Sequence, residues 1–371
     1  MKDTMGIVFT HFEEIRLNEL SDKRSISAMP IGGRYRLIDF ALSNLVNSGI
    51  INVGVATRQN YSSLLDHIGS GKPWGLNRKN YGLFIHPPFS VGSHNDGAGN
   101  IDALFGMLSY LRRSTQKYVI LAEGNVVCNT TFDKLLEQHI ENNADISLMY
   151  HVKSDCSVEN LSRFDILEVD DTKRVVEMQK NPRHPISDKA SMGVILMERK
   201  LLIDMTEDSI SRGRHDIVMH MLIDNVEKLR IFAFPFKGYV GHVDSVHAFF
   251  ENNMALLRPE IRHELFSENV IYTKDKDSVP TRYLENSSVK NSLIADGCLI
   301  EGDISQSVVF RGVKVSRGAK LKNCIIMQNT VIEEGVELEN VILDKECVVR
   351  ANKRLIGQEY FPVIVGKRTT I

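Results

Sequence analysis

The residues best suited to chemistry lie in one segment, residues 30–50, which reads PIGGRYRLIDFALSNLVNSGI. Its Gly32-Gly33 pair predicts a turn, because glycine readily adopts the backbone angles that tight turns need. Arg34 and Arg36 follow, and their guanidinium groups are suited to bind phosphates or carboxylates. The residue types allow anion binding, whereas their spacing does not specify a reaction.

A helix is predicted directly after this turn. Apolar residues at helical spacing would form its buried face, and Asn47-Ser48-Gly49 is a typical C-terminal stop. That face consists of Ile38, Leu42, Leu45 and Val46. For the polar residues of the same helix an architectural role is favoured over chemistry: Asp39, Ser43 and Asn44.

Up to about residue 262, short β-rich runs alternate with stretches of helical period. A second helical stripe, for example, runs from Ala103 to Leu111. This alternation favours an α/β domain with a parallel sheet. The predicted strands are Met5–Phe9, Val53–Thr57, Tyr118–Leu121, Ile146–Val152 and Arg230–Phe234.

From about Ser287 onward the helical stripes vanish and apolar residues recur every six positions. They are Val313, Ala319, Ile325 and Val331, then, after a slip of one, Val336, Ile342 and Val348. This period is typical of a parallel β-helix, and a β-meander with accidental spacing is the alternative. We predict an α/β domain over residues 1–262, a linker over 263–285 and a β-helix over 286–371. The flat faces of a β-helix favour oligomerisation.

The composition is that of a globular protein. Of the 371 residues 43% are hydrophobic and 25% charged, and 45 Lys and Arg nearly balance 47 Asp and Glu. A charge this close to zero gives no electrostatic footprint for nucleic acid. The five cysteines lack C-x-x-C spacing, and no apolar run approaches the ~18 residues of a membrane helix. We therefore expect a soluble protein of the reducing cytoplasm.

The segment from Pro30 closely resembles a block of bacterial glucose-1-phosphate adenylyltransferases, P-x-G-G-[KR]-[YF]-R-[LI]-I-D-F-x-L-S-N-x-x-N-S-G-I. Further similarities follow along the whole chain, including Gly54-Val55-Ala56-Thr57, Ser191-Met192-Gly193, Gly238-Tyr239 and Asn291-Ser292-Leu293-Ile294. The resemblance implies a Rossmann-like nucleotidyltransferase domain with a mostly parallel sheet, followed by a left-handed parallel β-helix of hexapeptide repeats. That family transfers an adenylyl group from ATP to glucose 1-phosphate, releases pyrophosphate and makes the glucosyl donor for glycogen.

The family elements that handle the triphosphate are missing. The loop G-G-x-G-x-R-L corresponds to residues 10–17, THFEEIRL, which contain no glycine. Side chains at Phe12 and Glu13 would obstruct backbone approach to the phosphates, and Glu13 and Glu14 would repel them. The phosphate-binding lysine of R-A-K-P-A falls on Ile26.

The carboxylates that hold magnesium in the family are missing as well. The aspartate of G-D-H falls on Gly124, and that of G-Y-W-x-D-V-G-T falls on His242, a poor magnesium ligand. Glu123 and Asp244 lie close to these positions in the sequence, and the alternative is that one of them binds the metal. No catalytic residue and no metal ligand is therefore assigned, and the Mg²⁺ of the family reaction would serve a catalytic partner.

The family motifs of the sugar-phosphate site are partly kept and partly replaced. Lys180 matches the lysine of E-K-P, Ser191 is kept, and Asp102 survives from G-T-A-D-A. The tyrosine of M-G-x-Y is Ile195, and the aspartate of H-D-F-G falls on Arg212.

The chain keeps the family's scaffold motifs but lacks its catalytic motifs. In this combination it resembles the GlgD-type subunit of the family. The resemblance implies a non-catalytic or nearly inactive regulatory subunit that assembles with a catalytic GlgC-type homologue, as a hetero-oligomer that we expect to be a tetramer. A homo-oligomer is a second arrangement. Family enzymes respond to phosphorylated metabolites, and the expected effector contacts are Lys23, Arg24 and Arg34. A weakly active adenylyltransferase and a sugar-phosphate or nucleotide sensor are the alternatives, with no nucleic-acid or membrane partner.

Overall fold

The computed structural model describes residues 1–10, 17–58, 60–88, 99–153 and 157–371, so most of the predicted nucleotide loop, residues 11–16, lies outside the described residues. The chain divides into two compact units, and each is built from three segments. The first unit consists of Met1–Glu13, Phe40–Gln59 and Gly69–Val240. The second consists of Glu14–Asp39, Asn60–Ile68 and Gly241–Ile371.

The first unit is organised around a nine-stranded mixed sheet. Its spatial order is Val175–Gln179, Ile166–Val169, Lys189–Glu198, Tyr118–Glu123, Thr4–Phe9, Asn52–Ala56 and Gly82–His86, with Ile146–Val152 beside Lys189–Glu198 and Ile231–Pro235 beyond it. All five predicted strands are confirmed. Thr4–Phe9 runs parallel to Asn52–Ala56 and to Tyr118–Glu123. Lys189–Glu198, in contrast, runs antiparallel to Tyr118–Glu123 and to Ile146–Val152.

Helices follow the strands of this sheet, as the alternating pattern predicts. The helices of these chain segments are Leu37–Asn47, Asn100–Gly106, Leu108–Arg113, Asp133–Glu141, Val158–Leu161 and Arg199–Ser211, with a π-helical turn at Val218–Leu222. The stripe from Ala103 to Leu111 forms two helices instead of one, because the backbone leaves helical angles at Met107 (φ −95°, ψ 1°). Met107 is nevertheless buried in the core together with Ile7, Leu121 and Met197, so the apolar spacing survives the break.

The second unit begins with short elements. Pro30–Ile31 and Tyr35–Arg36 form a small hairpin whose turn contains Gly32 (φ +60°) and Gly33 (φ +82°). These left-handed angles explain the glycine pair that the sequence places there. The helices of this unit are Ser62–Ile68, Val246–Ala255 and Pro259–Phe266, with 3-10 turns at Asn18–Leu20 and Ile26–Ala28 and a short strand at Gly241–His242.

The C-terminal part of the second unit is a left-handed β-helix with three five-stranded parallel sheets. The sheets are Arg282–Tyr283, Leu299–Ile300, Lys314–Val315, Val331–Ile332 and Val348–Val349; Ser288–Lys290, Asp303–Ser305, Lys320–Lys322, Glu337–Glu339 and Arg354–Ile356; and Leu293–Ile294, Val308–Val309, Ile325–Ile326, Val341–Leu343 and Val363–Val365. Parallel pairing throughout excludes the β-meander, whose neighbouring strands are antiparallel.

The coil length explains the slip in the six-residue period. Val308, Ile325 and Ile342 are register partners in successive coils, 17 residues apart. Each of these two coils therefore contains two steps of six residues and one of five. The predicted positions Val313, Ala319 and Val336 are fully buried, whereas Val331 and Val348 are only half-buried, because Ile332 and Val349 point inward on those strands.

The predicted domain boundary at residues 262 and 263 falls within the helix Pro259–Phe266, and the boundaries themselves stay a prediction. Among the residues that the structure describes, no helix combines the length and apolar character needed to cross a membrane.

Candidate functional site

Asp102 lies in the first turn of the helix Asn100–Gly106, where its carboxylate is held on two sides. Oδ2 accepts a hydrogen bond from the Gly99 N–H at 2.7 Å, and Nδ1 of His215 lies 2.9 Å from Oδ2 and 3.0 Å from Oδ1. Gly99 has no room for a side chain, because a Cβ would stand 2.0 Å from the carbonyl oxygen of His215. Asp102 therefore fastens the chain around His215 to the start of this helix.

Lys180 follows the strand Val175–Gln179 and pairs with Asp216. Its Nζ lies 2.5 Å from Oδ2 of Asp216, and the two side chains are 19% and 29% exposed. Oδ1 of Asp216 accepts a hydrogen bond from the Met219 N–H at 2.7 Å, which fixes the carboxylate. The positive charge of Lys180 is therefore balanced by a carboxylate of the chain itself, with less screening by water than at a free surface.

The neighbouring residues His215 and Asp216 join these contacts into one group, the Asp102 cluster, which comprises Asp102, Lys180, His215 and Asp216. The structure thus brings together two of the three predicted sugar-phosphate remnants. His215 and Asp216 were not among the predicted site residues, although this dipeptide carries the first two letters of the family's H-D-F-G. Arg212, on which the aspartate was expected to fall, pairs at the surface with Asp208 at 2.8 Å.

Ser191, the third remnant, lies in the strand Lys189–Glu198 and makes a local contact. Its Oγ accepts a hydrogen bond from the Gly193 N–H at 3.2 Å. Gly193 has φ +64°, and a Cβ there would stand 2.6 Å from Cδ of Glu123. The Glu123 side chain, a suggested substitute metal ligand, therefore packs over this glycine.

The positions that would bind magnesium do not fit that ion. Gly124 has no side chain, and its N–H donates to the Phe9 carbonyl at 2.8 Å. The other position, His242, offers imidazole nitrogen, whereas magnesium prefers oxygen ligands. Within the described ranges no group of three or more His, Cys, Asp and Glu side chains could hold a metal ion.

Ile26, at the family position of the phosphate lysine, lies in the 3-10 turn Ile26–Ala28 and is only 5% exposed. Its buried apolar side chain cannot donate a hydrogen bond to a phosphate. Ile26, Gly124 and His242 thus occupy the family positions of the phosphate lysine and of the two magnesium carboxylates.

The second unit contains a different candidate site, a cavity of about 660 Å³ that we call the cationic pocket. Seven cationic residues line it: Arg34, Arg36, Lys274, Lys276, Arg311, Lys345 and Lys367. Four carboxylates share the lining: Asp66, Asp277, Asp296 and Glu346. The formal excess of positive charge fits a ligand with more than one negative charge.

Arg36 is held in place by the residues around it. Its Nη1 donates to the Ser63 backbone oxygen at 2.5 Å and to Ser63 Oγ at 2.9 Å. Its own N–H donates to Oδ2 of the fully buried Asp39 at 2.9 Å, while Oδ1 of Asp39 lies 2.5 Å from Nε2 of His67. Burial lowers the pKa of Arg36 to about 10 although Asp39 opposes the effect. The architectural role expected for Asp39 is thus to orient a residue of the pocket.

Arg311 is a buried residue of this pocket that keeps unsatisfied hydrogen-bond donors. It is 9% exposed, and its Nε and one terminal nitrogen find no hydrogen-bond acceptor among the described residues. Burial, and then the nearby charge of Arg34, lower the pKa of Arg311. Buried donors without acceptors are costly, so an anion that accepts from Arg311 would be stabilising.

The three predicted effector contacts are placed differently. Arg34 lines the cationic pocket. Arg24 is buried, and its Nη2 donates to the two carboxylate oxygens of Asp344 at 2.8 and 2.6 Å. Lys23 is exposed and does not line the cationic pocket. Only Arg34 is therefore positioned to contact a ligand in this cavity.

The mixed sheet with its Asp102 cluster, together with a β-helix, defines a nucleotidyltransferase-type protein with a hexapeptide domain. The sequence model of the nucleotidyl transferase family matches residues 14–257, and that of the GlmU-like C-terminal hexapeptide matches residues 278–360. The chain belongs to the glucose-1-phosphate adenylyltransferase family.

A GlgD protein and a glucose-1-phosphate adenylyltransferase are similar to the chain to nearly the same degree. The glycogen biosynthesis protein GlgD of Bacillus subtilis is 33% identical over 364 residues, 98% of this chain and 95% of that protein. The glucose-1-phosphate adenylyltransferase of Bacillus mycoides is 34% identical over 341 residues, 90% of this chain and 89% of that protein. The chain is thus a GlgD-like member of the family, with a link to glycogen biosynthesis.

Proposed function

We propose that this chain is a non-catalytic regulatory subunit that assembles with a catalytic homologue of the glucose-1-phosphate adenylyltransferase family. The main support is the loss of charged side chains at the family positions that handle the triphosphate. The family positions for the phosphate lysine and a magnesium carboxylate are Ile26 and Gly124. Chemistry on a triphosphate needs cations at the developing charge, and each lost group commonly costs ~10²–10³ in rate.

The cationic pocket supplies the regulatory part of the proposal. Its ligand would be a phosphorylated metabolite, because buried cations repel one another until an anion neutralises them. Burial and neighbouring cations lower the pKa values of Arg36, Lys276 and Arg311. An anion among these groups would relieve that cost.

Assembly is tested by co-expressing the chain with a catalytic homologue from the same source, each with a different tag. We expect the two chains to co-purify and the concentration of phosphorylated effector needed for half-maximal response to differ from that of the catalytic chain alone. Separate elution of the two chains would contradict the proposed partnership.

The pocket is tested in the same complex with Arg311→Gln, which removes the buried guanidinium. We expect at least about a tenfold rise in the effector concentration for half-maximal response, the loss of one charge-assisted contact. Lys23→Glu is the matched variant outside the pocket, and an unchanged response there would remove Lys23 from the effector contacts. An unchanged response with Arg311→Gln would contradict the pocket assignment.

We also assign the chain to the cytoplasm. The described cysteines carry free, buried thiols, which suits a reducing compartment. They are Cys128, Cys298, Cys324 and Cys347.

A further inference from the structure

Lys345 differs from Lys180 and Lys367, which each pair with a carboxylate, because its ammonium group lacks such a partner among the described residues. It lies just after the strand Val341–Leu343 and lines the cationic pocket, half-buried. Within the described part of the chain its Nζ makes no hydrogen bond or ion pair. Lys180, in contrast, lies 2.5 Å from Asp216.

The two carboxylates beside Lys345 in sequence are already paired. Asp344 binds Arg24 through both oxygens, and its Oδ1 also accepts from the backbone N–H of Lys345 at 2.7 Å. Glu346 lies 2.6 Å from Nε of Arg368 and 3.8 Å from Nζ of Lys367. Neither carboxylate is therefore available to hold Lys345 in its charged form.

The electrostatic surroundings favour the neutral amine. Burial, followed by the charges of Arg36 and Arg24, lowers the pKa of Lys345 to about 7; Lys367 adds to this effect and Asp344 opposes it. A substantial fraction of this side chain is an uncharged nucleophile near neutral pH, whereas an ordinary lysine is almost fully protonated.

We propose that Lys345 is a site of acylation by acyl phosphates that bind in the cationic pocket. The neutral Nζ attacks the carbonyl carbon, a C–N bond forms, and the bond from that carbon to the phosphate oxygen breaks. Phosphate leaves with the electron pair and takes up the proton that the amine loses, so the products are an amide and hydrogen phosphate. Arg311 and the other cations of the pocket orient the phosphate and stabilise it as a leaving group.

The consequence is a change in the pocket itself. Acylation removes a titratable cation and adds bulk where an anion would bind, so it lowers the affinity of the pocket for phosphorylated ligands. This inference rests on the proposed function only in that the pocket must bind anions.

The test uses the full chain, acetyl phosphate as acyl donor and peptide mass spectrometry as readout. We expect the initial acetylation rate at Lys345 near pH 7.5 to exceed that at the exposed Lys353 by at least about tenfold. Inorganic phosphate should slow acetylation at Lys345 and leave Lys353 unchanged. Arg311→Gln should reduce the rate at Lys345 with acetyl phosphate, but not with the uncharged donor N-acetoxysuccinimide.

Equal rates at Lys345 and Lys353 would overturn the proposal, as would a Lys345 rate that responds neither to inorganic phosphate nor to Arg311→Gln. Calorimetry with inorganic phosphate distinguishes anion binding in the cationic pocket from acylation of Lys345. If phosphate binds but Lys345 is not preferentially acetylated, only the acylation fails. If phosphate does not bind, the anion pocket fails and the acylation fails with it.

Discussion

At the scale of single residues, overall identity does not distinguish between the two roles that the relatives' names suggest. The relatives named as GlgD and as adenylyltransferase are 33% and 34% identical to it. In the proposed function, the role of the chain depends on a few positions, such as Ile26 and Gly124. Both residues are compatible with the fold, because Ile26 is buried in a 3-10 turn and the Gly124 N–H donates to the Phe9 carbonyl.

The buried ion pair between Arg24 and Asp344 gives a prediction about stability. Asp344→Asn removes one charge and leaves the guanidinium, 3% exposed, without its counterion. We expect the free energy of unfolding in urea to fall by about 3–5 kcal/mol. The matched control is Glu333→Gln, which breaks the surface pair with Arg350 and should cost about 0–1 kcal/mol. Equal effects of the two variants would contradict a buried, structural role for Arg24.

At the scale of elements, the β-helix depends on residues that recur at its corners. Asn323, Asn340 and Asn352 all have positive φ, between +53° and +59°. Asparagine tolerates this conformation better than most residues, which explains its recurrence in the turns. The side chains of Asn323 and Asn340 also form a ladder, in which Asn323 Nδ2 donates to Asn340 Oδ1 at 2.5 Å and Asn340 Nδ2 donates to the Gly357 carbonyl at 3.0 Å.

The stabilisation by this ladder can be measured separately from the tolerance of asparagine for positive φ. Asn340→Ala loses both the left-handed tolerance and the two hydrogen bonds, so we expect a loss of about 2–4 kcal/mol in unfolding free energy. Asn352→Ala, at an exposed corner with the same backbone angle, should lose only about 1 kcal/mol. Urea denaturation of both variants measures the difference, and indistinguishable losses would mean that the ladder does not stabilise the β-helix.

Three histidines of the first unit predict its response to acid. Burial lowers the pKa of His86 and His139 to about 4 and that of His151 to about 3. In the unfolded chain the same groups take up protons near pH 6.5. The unfolded state therefore binds more protons between about pH 6.5 and 4, and stability should fall as the pH falls through this window.

Thermal unfolding measured at intervals from pH 7 to pH 4 checks this response. His139→Gln should show a shallower fall than the parent chain, because one of the three titrating groups is gone. A variant with an unaltered slope would contradict the assignment of His139 as a buried neutral group.

At the scale of the whole molecule, sequence patterns predicted what is local and missed what depends on distant contacts. The strand Met5–Phe9 and the six-residue period are recognisable because neighbouring residues determine them. The break at Met107 leaves the apolar spacing intact, so periodicity alone cannot reveal it. Arg24 was expected to bind an effector, but its partner Asp344 is 320 residues away in the chain.

The cationic pocket shows the same limit. Arg34 and Arg36 were identified from one segment, whereas Lys274, Arg311 and Lys345 come from separate turns of the second unit. No spacing rule connects them, because the coils of the β-helix bring residues of different repeats to one place. A site assembled in this way becomes visible only once the register of the coils is known.

The most direct test of the central claim measures pyrophosphate release from ATP and glucose 1-phosphate with magnesium. It compares the purified chain, a catalytic homologue from the same source and their co-expressed complex. We expect the chain alone to show no activity above background and the complex to differ from the catalytic homologue in turnover or in effector dependence. Magnesium-dependent activity of the chain alone, abolished by Glu123→Ala or Asp244→Ala, would contradict the regulatory assignment and show that this chain is an enzyme.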